Sequence, residues 1–231
     1  MADVTPRLLI LETSGRPGRV AVAEGEHLLA EHQLDDTRRH ARDLAPTVAA
    51  LLEAAGWRPR QVEAVIVSRG PGSYTGLRVG IMSVKTFAYA TGCALLAIDT
   101  FAAIALQAPA ETQRLEVIAD AQQQKVYVQS FGRSEAGELL AVTPLTILPL
   151  AEWQAGLATD VWVSGPGVDV YDQILPTAIQ RVTPELRQPG ADSLLRLGLR
   201  RWRAGERDDL WMLEPLYLRP SSAEEKWAQR S

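Results

Sequence analysis

The sequence predicts an α/β protein built from two successive β-β-β-α-β-α units. Three observations predict it. Apolar residues alternate as in strands and then recur at helical spacing, and this order runs twice along the chain. Clusters of Gly, Pro and Ser punctuate each change of period. The 231 residues, 46% of them hydrophobic, suffice to bury one large core or two small ones.

Taken in order, Arg7–Glu12 is apolar and branched, as a buried strand requires. Thr13–Gly18 (TSGRPG) is turn chemistry, Arg19–Ala23 alternates as a second strand, and after the Glu24-Gly25-Glu26 turn His27–Leu34 pairs as a third. A helix is expected from about Arg39 to Ala55, with Leu44, Val48, Leu51 and Leu52 on one face and Gly56 as its stop. Val62–Ser68 is a strand, a glycine-rich turn and a long helix follow, Leu95–Ile98 is a strand, and Thr100–Leu106 begins a third helix. The second half repeats the theme. Strands are expected at Glu116–Asp120, Val126–Phe131, Leu139–Thr146 and Val161–Ser164, and helices at Leu150–Leu157, Val168–Leu175 and Asp192–Arg203. Two such units in one chain imply a duplicated actin-like, ribonuclease-H-type fold, on element order alone. The boundary is expected in Gln107–Arg114, giving units at 1–110 and 111–219 and a polar tail at 220–231.

Composition narrows the function classes. Charged residues make up 23% of the chain and the net charge is −4, whereas a protein whose main task is gripping nucleic acid is usually basic. Cys93 is the only cysteine, so there is no disulfide framework and no cysteine-based zinc site. It follows a helix-terminating glycine and reads as a small buried apolar residue. The start, MADVTPRLLIL, has no basic region followed by an apolar stretch of signal-peptide length, and no apolar run is long enough for a bilayer. A cytoplasmic protein without membrane association is the expectation.

Ser68–Gly92 (SRGPGSYTGLRVGIMSVKTFAYATG) carries the most information. A phosphate loop of the Walker type fails because Leu77 and Arg78 follow Gly76 where Lys-Ser/Thr is needed. A dinucleotide fingerprint fails because Gly70, Gly72 and Gly76 are spaced one residue too far. A nucleophile elbow fails because Ser73 directly follows Gly72. What survives is a tight turn at a strand-to-helix junction, made by Gly70, Pro71, Gly72, Ser73 and Gly76, with bare backbone. An anion at the helix N-terminus, close packing of another chain, or a turn needing unusual backbone angles would each use it. In the helix, Leu77, Ile81, Val84 and Ala88 form a stripe suited to a sheet. The opposite side, Val79, Met82, Thr86, Tyr89 and Ala90, is hardly solvent-like, and Gly80 and Ser83 are small enough for another backbone to come near. That second side is covered either by the same domain or by another subunit.

Active-site chemistry is thin. Asp35-Asp36 and Asp208-Asp209 are adjacent carboxylates in polar loops, which turn chemistry explains. No nucleophile–base pair supports a protease. His27, His32 and His40 read as strand-surface or helix-start residues, and no metal site is expected. Two basic clusters remain, Thr37–Arg42 at a helix start and Arg196, Arg200, Arg203 and Arg207 along the last helix; a solvated face and a small contribution to nucleic-acid binding are the two readings of the latter.

Glu12-Thr13-Ser14, the run Arg69–Gly80 (RGPGSYTGLRVG) and Glu214–Arg219 (EPLYLR) closely resemble the TsaB (YeaZ) family, the dimerization subunits of the bacterial tRNA threonylcarbamoyladenosine-synthesis complex. Arg39–Leu44 resembles the family's first-helix opening; coverage is good from Leu8 to about Ser130 and patchy afterwards. The resemblance implies a catalytically silent relative of the transferase TsaD that pairs with TsaD through its first-domain helices and helps recruit the ATPase TsaE. The complex places threonylcarbamoyl on the adenosine beside the anticodon of tRNAs reading ANN codons. It further implies that tRNA is met only through the assembled complex, that no cofactor is needed, and it leaves a homodimer open for the chain alone. The partner contacts it implies are Arg39, His40, Leu44 and Val48 on one helix, and Tyr74, Leu77, Arg78, Gly80, Ile81, Met82 and Lys85 around the other. The sister transferase's metal-holding histidine pair has no counterpart in Asp99–Leu106. The chain departs from the family in having Glu12 for Asp, and in reading Asp120-Ala-Gln-Gln-Gln-Lys-Val-Tyr127 where Asp-Ala-Arg precedes Glu-Val-Tyr. Phosphate turns of actin-like kinases are degraded here, the second having lost its glycines. Thr13, Ser14, Gly165 and Gly167 are left as vestigial nucleotide contacts. The alternative reading is a nucleotide-dependent actin-like enzyme using the interdomain cleft.

Overall fold

The computed structural model describes residues 5–34 and 40–218, with the backbone alone for His40 and Ala41. In the first unit, β1 (Arg7–Glu12), β2 (Arg19–Glu24) and β3 (His27–Gln33) form an antiparallel meander. Then come α1 (His40–Ala54), β4 (Ala64–Gly70), α2 (Tyr74–Thr91), β5 (Ala94–Asp99) and α3 (Thr100–Ala105). The second unit holds β6 (Arg114–Asp120), β7 (Lys125–Arg133), β8 (Leu139–Ala141), β9 (Thr146–Pro149), α4 (Leu150–Gly156), β10 (Trp162–Ser164), α5 (Gly167–Tyr171) and β11 (Gln180–Arg181), before α6 (Ala191–Arg203).

The first sheet has the order β3-β2-β1-β4-β5, with β4 parallel to both β1 and β5. The second has the order β11-β10-β6-β7-β8, with β9 also on β7 and with β6, β10 and β11 parallel. Reading β6, β7, β8 and β9 together, β10 and β11 as counterparts of β1 to β5 makes the two orders the same. This is the duplicated actin-like α/β fold that the element order predicts.

Strand β1 shows why its sequence is apolar at nearly every position. Successive side chains point to opposite faces, and both faces are covered. Leu9 and Leu11 pack with Val65, Val67, Ile81 and Val84 beneath α1 and α2. Leu8 and Ile10 pack with Ile66, Leu96, Leu194 and Leu195 beneath α6. Helix α3 lies against the second sheet, its Phe101 and Ile104 on Leu115, Val117 and Phe131, while α4 and α5 cover the opposite face through Trp153 and Val168. The layers therefore run α1 and α2, first sheet, α3 and α6, second sheet, α4 and α5.

Four elements differ from expectation. The strand expected at Leu139–Thr146 is two strands, because Pro144 has no N–H for a ladder and Thr143 Oγ1 turns back to accept from Ser130 N at 2.9 Å. The helix expected at Val168–Leu175 is α5 followed by a 3₁₀ turn at Asp172–Ile174. Strand β11 is two residues long, too short to leave a period. Helix α6, expected with the second unit, packs on the first sheet, where Gly198 has no Cβ to collide with Ile66. The tail from residue 220 lies outside the described residues.

The β6–β7 turn places Gln122, Gln123 and Gln124 at φ 58°, 52° and 57°. The left-handed region crowds Cβ against the following carbonyl. Since Gln124 is exposed, Gln124→Gly is expected to raise stability by roughly 1 kcal/mol, a Tm gain of about 2–4 °C in thermal unfolding.

Candidate functional site

The glycine loop leaves the carboxyl end of β4 and enters α2 beside the turn that follows β1. That turn hangs on Glu12. Its carboxylate oxygen Oε1 accepts from Ser14 N at 2.5 Å, Ser14 Oγ at 2.5 Å and Gly15 N at 3.1 Å. The other oxygen, Oε2, is buried beside Ser68 of β4 and, like Ser68 Oγ, has no hydrogen-bond partner among the described residues. Burial raises the Glu12 pKa, against the hydrogen bonds from Ser14 and Gly15 that favour the charged form.

The loop is seated on that turn. Ser73 N donates to Ser14 O at 2.8 Å, and Ser73 Oγ caps α2 by accepting from Gly76 N at 3.2 Å. A Cβ on Gly76 would collide with the Thr13 carbonyl oxygen, and one on Gly80 with Thr13 Oγ1. Gly70 sits at φ +118°, a conformation open to glycine. The bare glycines thus serve contact within the chain. This corrects the expectation that Gly80 leaves room for another subunit: Thr13 occupies that room.

The expected partner contacts separate by face. Leu44, Leu77 and Ile81 are 2%, 2% and 4% exposed and belong to the core between α1, α2 and the sheet, so they offer nothing to a partner. Val48 is half-buried at the edge of that core. Tyr74, Arg78 and Met82 face outward, Met82 being 64% exposed. Lys85 is half-buried and donates to the carbonyls of Trp211 and Leu213, at 3.2 Å each. Arg39 lies outside the described residues, as does the His40 side chain. Tyr89, 71% exposed and next in line on the same face, stands out in the sequence only as unlike solvent; Trp211 and Met212 carry no signal there.

The expected nucleotide contacts are turned inward. Thr13 and Ser14 are buried, and the Ser14 amide and hydroxyl that would donate to a phosphate both donate to Glu12. Gly165, at φ +96°, and Gly167 lie against Ile118 of β6, where a Cβ would meet its backbone. In the second turn Asp120 Oδ1 accepts from Gln122 N and from Tyr171 Oη, both at 2.7 Å. Among the described residues no group of three or more His, Cys, Asp or Glu is placed to hold a metal ion. Three arginines of the last-helix cluster have partners: Arg200 pairs with Glu138, Arg203 with Glu26, and Arg207 stacks over Trp202 at 3.8 Å.

Two outcomes follow from this geometry. Gly80→Val is expected to cost on the order of 1–3 kcal/mol of folding stability by overpacking Thr13, measured by urea unfolding of the isolated chain. The folded chain holds the Glu12 proton more tightly than the unfolded chain does. The Glu12 contribution is therefore greatest below the ordinary value of 4.5 and is lost as pH rises through the raised pKa. Glu12→Gln, with no proton to titrate, is expected to flatten that slope and to gain relative stability at neutral pH, as read from unfolding curves at a series of pH values.

Comparison with known proteins agrees with the geometry. The family model described as TsaD: tRNA N6-adenosine threonylcarbamoyltransferase matches residues 27–227. The chain is similar to the tRNA threonylcarbamoyladenosine biosynthesis protein TsaB of Bacillus subtilis, at 26% identity over 96% of this chain and 98% of that protein. It is similar to the protein of that name in Escherichia coli, at 25% identity over 95% and 97%. The solved structure of YeaZ from Pseudomonas aeruginosa superposes with a TM-score of 0.78 at 30% identity, over 92% of this chain and all of that one. The chain therefore belongs to the TsaD family, on its TsaB (YeaZ) branch.

Proposed function

We propose that this chain is a non-catalytic scaffold in the synthesis of threonylcarbamoyladenosine on tRNA, pairing with the TsaD transferase through the outer face of α1 and α2. The observation that carries the reading is the outer face of α2, where Met82 and Tyr89 are exposed on a helix whose other side is already in the core. An amphipathic helix facing water would carry charge there; α2 has no acidic residue and only Arg78 and Lys85 as cations. The full-length relatives named as threonylcarbamoyladenosine biosynthesis proteins supply the pathway.

The inward-turned Thr13 and Ser14 support a silent rather than a catalytic subunit. The donors that a phosphate would need are already bound to a buried carboxyl, and a phosphate there would meet Glu12. In this reading the pair recruits the ATPase TsaE, tRNA is held by the assembled complex, and the acidic balance of the chain fits that division. Self-association of the chain alone would use the same face. Among the described residues no helix is long and apolar enough to cross a membrane, and a cytoplasmic location belongs to the same proposal.

Met82→Asp puts an unpaired carboxylate in the middle of that face without touching the core. The variant is expected to keep its unfolding free energy within about 0.5 kcal/mol and to lose co-elution with TsaD on size-exclusion chromatography. Undiminished co-elution would overturn the assignment of this face.

A further inference from the structure

After α6 the chain returns along the first unit and crosses beside α2. Asp208 N donates to Leu95 O at 2.9 Å, and its Oδ2 accepts from Ala97 N at 2.7 Å, which ties the segment to β5. Leu213 enters the core under α1 and α2, and Leu216 N donates to Arg69 O at 2.8 Å. Between these anchors lies a tight turn. Asp209 Oδ1 accepts from Trp211 N at 2.7 Å and Met212 N at 2.9 Å, and Asp209 O accepts from Leu213 N at 3.0 Å. Lys85 clamps the turn from α2 through two carbonyls.

This built turn holds two of the largest apolar side chains out in solvent, Trp211 at 71% and Met212 at 78% exposed. The Trp211 ring packs edge-on against Tyr89, with centroids 5.9 Å apart, and Tyr217 lies against Tyr74 at 5.1 Å. Of the twelve exposed large apolar side chains among the described residues, seven lie on α2 and this segment. Their concentration on one surface is the pattern that marks a protein-binding site. Scattered apolar exposure is ordinary; concentration on one fixed surface is not.

The segment carries two exposed carboxylates, Asp209, whose Oδ1 is taken up by its own turn, and Glu214, while α2 contributes the cations Arg78 and Lys85. Arg78, exposed, stacks over the Tyr74 ring at 5.3 Å and donates to Tyr74 Oη at 2.8 Å, and it pairs with no carboxylate among the described residues. Aromatic rings, an arginine and a rigid backbone are the composition of binding hot spots, where little is lost on ordering.

We propose that residues 209–218 and the outer face of α2 form one preorganised docking surface, whose occupant is an apolar protein face with a carboxylate opposite Arg78, presented by the transferase. The inference rests on the pairing proposed above and extends it to a segment that is not helical and lies far along the chain from α2. Trp211 and Met212 insert into the partner, and Arg78 fixes the register of the two chains by its charge.

The test is calorimetric titration of the full chain into purified TsaD. Trp211→Ala is expected to weaken binding about tenfold or more, and Arg78→Glu to weaken it further and to remove its salt dependence. Leu140→Ala, an exposed apolar change on β8, is expected to bind as the wild type does, and circular dichroism melts of all three variants are expected to match the wild type. Wild-type affinity in both Trp211→Ala and Arg78→Glu would overturn the inference while leaving the pairing intact. A wild-type chain that does not bind TsaD would overturn the pairing and the inference with it. Loss of self-association in Trp211→Ala, with TsaD binding unchanged, would also overturn it by assigning the surface to a second copy of the chain.

Discussion

One carboxyl group sets the geometry on which the outer helices depend. Glu12 Oε1 gathers three donors from Ser14 and Gly15, which folds Thr13–Gly15 into a fixed knuckle at the end of β1. Ser73 and the glycines of the loop rest on that knuckle, so the position of α2 on the sheet is defined by contact with a turn some sixty residues earlier. Buried acceptors with several short donors form rigid local structures, because losing any one donor leaves a polar group without a partner. The rows of small residues in the loop follow from the same constraint. Two pieces of backbone can approach this closely only where one of them has no side chain.

In many α/β proteins the carboxyl ends of parallel strands are where ligands bind. Here that place is filled from within. The first turn bends back onto its own carboxyl, the Gly165-Pro-Gly167 turn closes onto Ile118, and the Asp120 turn is tied to Tyr171. Aromatic and apolar groups gather on the outer surface, where α2 and the 209–218 segment meet solvent. Sheet and helix packing do not depend on what the turns hold, so one architecture accommodates turns closed in this way.

Most of the architecture is legible in the residues, since short apolar runs and stretches of period 3.6 succeed one another from Arg7 to Asp120 and the turns carry Gly and Pro where the chain reverses. The orientation of the glycine face is harder. Gly76 and Gly80 stand eight and four residues before Val84, on the same stripe of α2 as the core residues, and that spacing carries the signal that they point inward. What it does not carry is the identity of Thr13 as their neighbour, because that contact is made across the sheet order and not along the chain. For the same reason the surface role of Trp211 and Met212 is invisible in a segment of mixed, loop-like composition; only the clamp by Lys85 and the Asp209 turn fix which way they face. Strand β11 escapes because two residues define no period.

The return of α6 to the first sheet also bears on how the protein is made. The inner face of that sheet, with Leu8, Ile10, Ile66 and Leu96, is completed by side chains from Ala191 to Leu199. On a ribosome the first five strands emerge long before those residues do, so the early half of the chain carries an uncovered apolar sheet face throughout synthesis of the second. Contacts of such large sequence separation are slow to form and leave nascent chains exposed to aggregation and to chaperones. The two units, alike in topology, are therefore unequal in autonomy: the second sheet is closed by helices that precede or accompany it, and the first waits for nearly the whole chain.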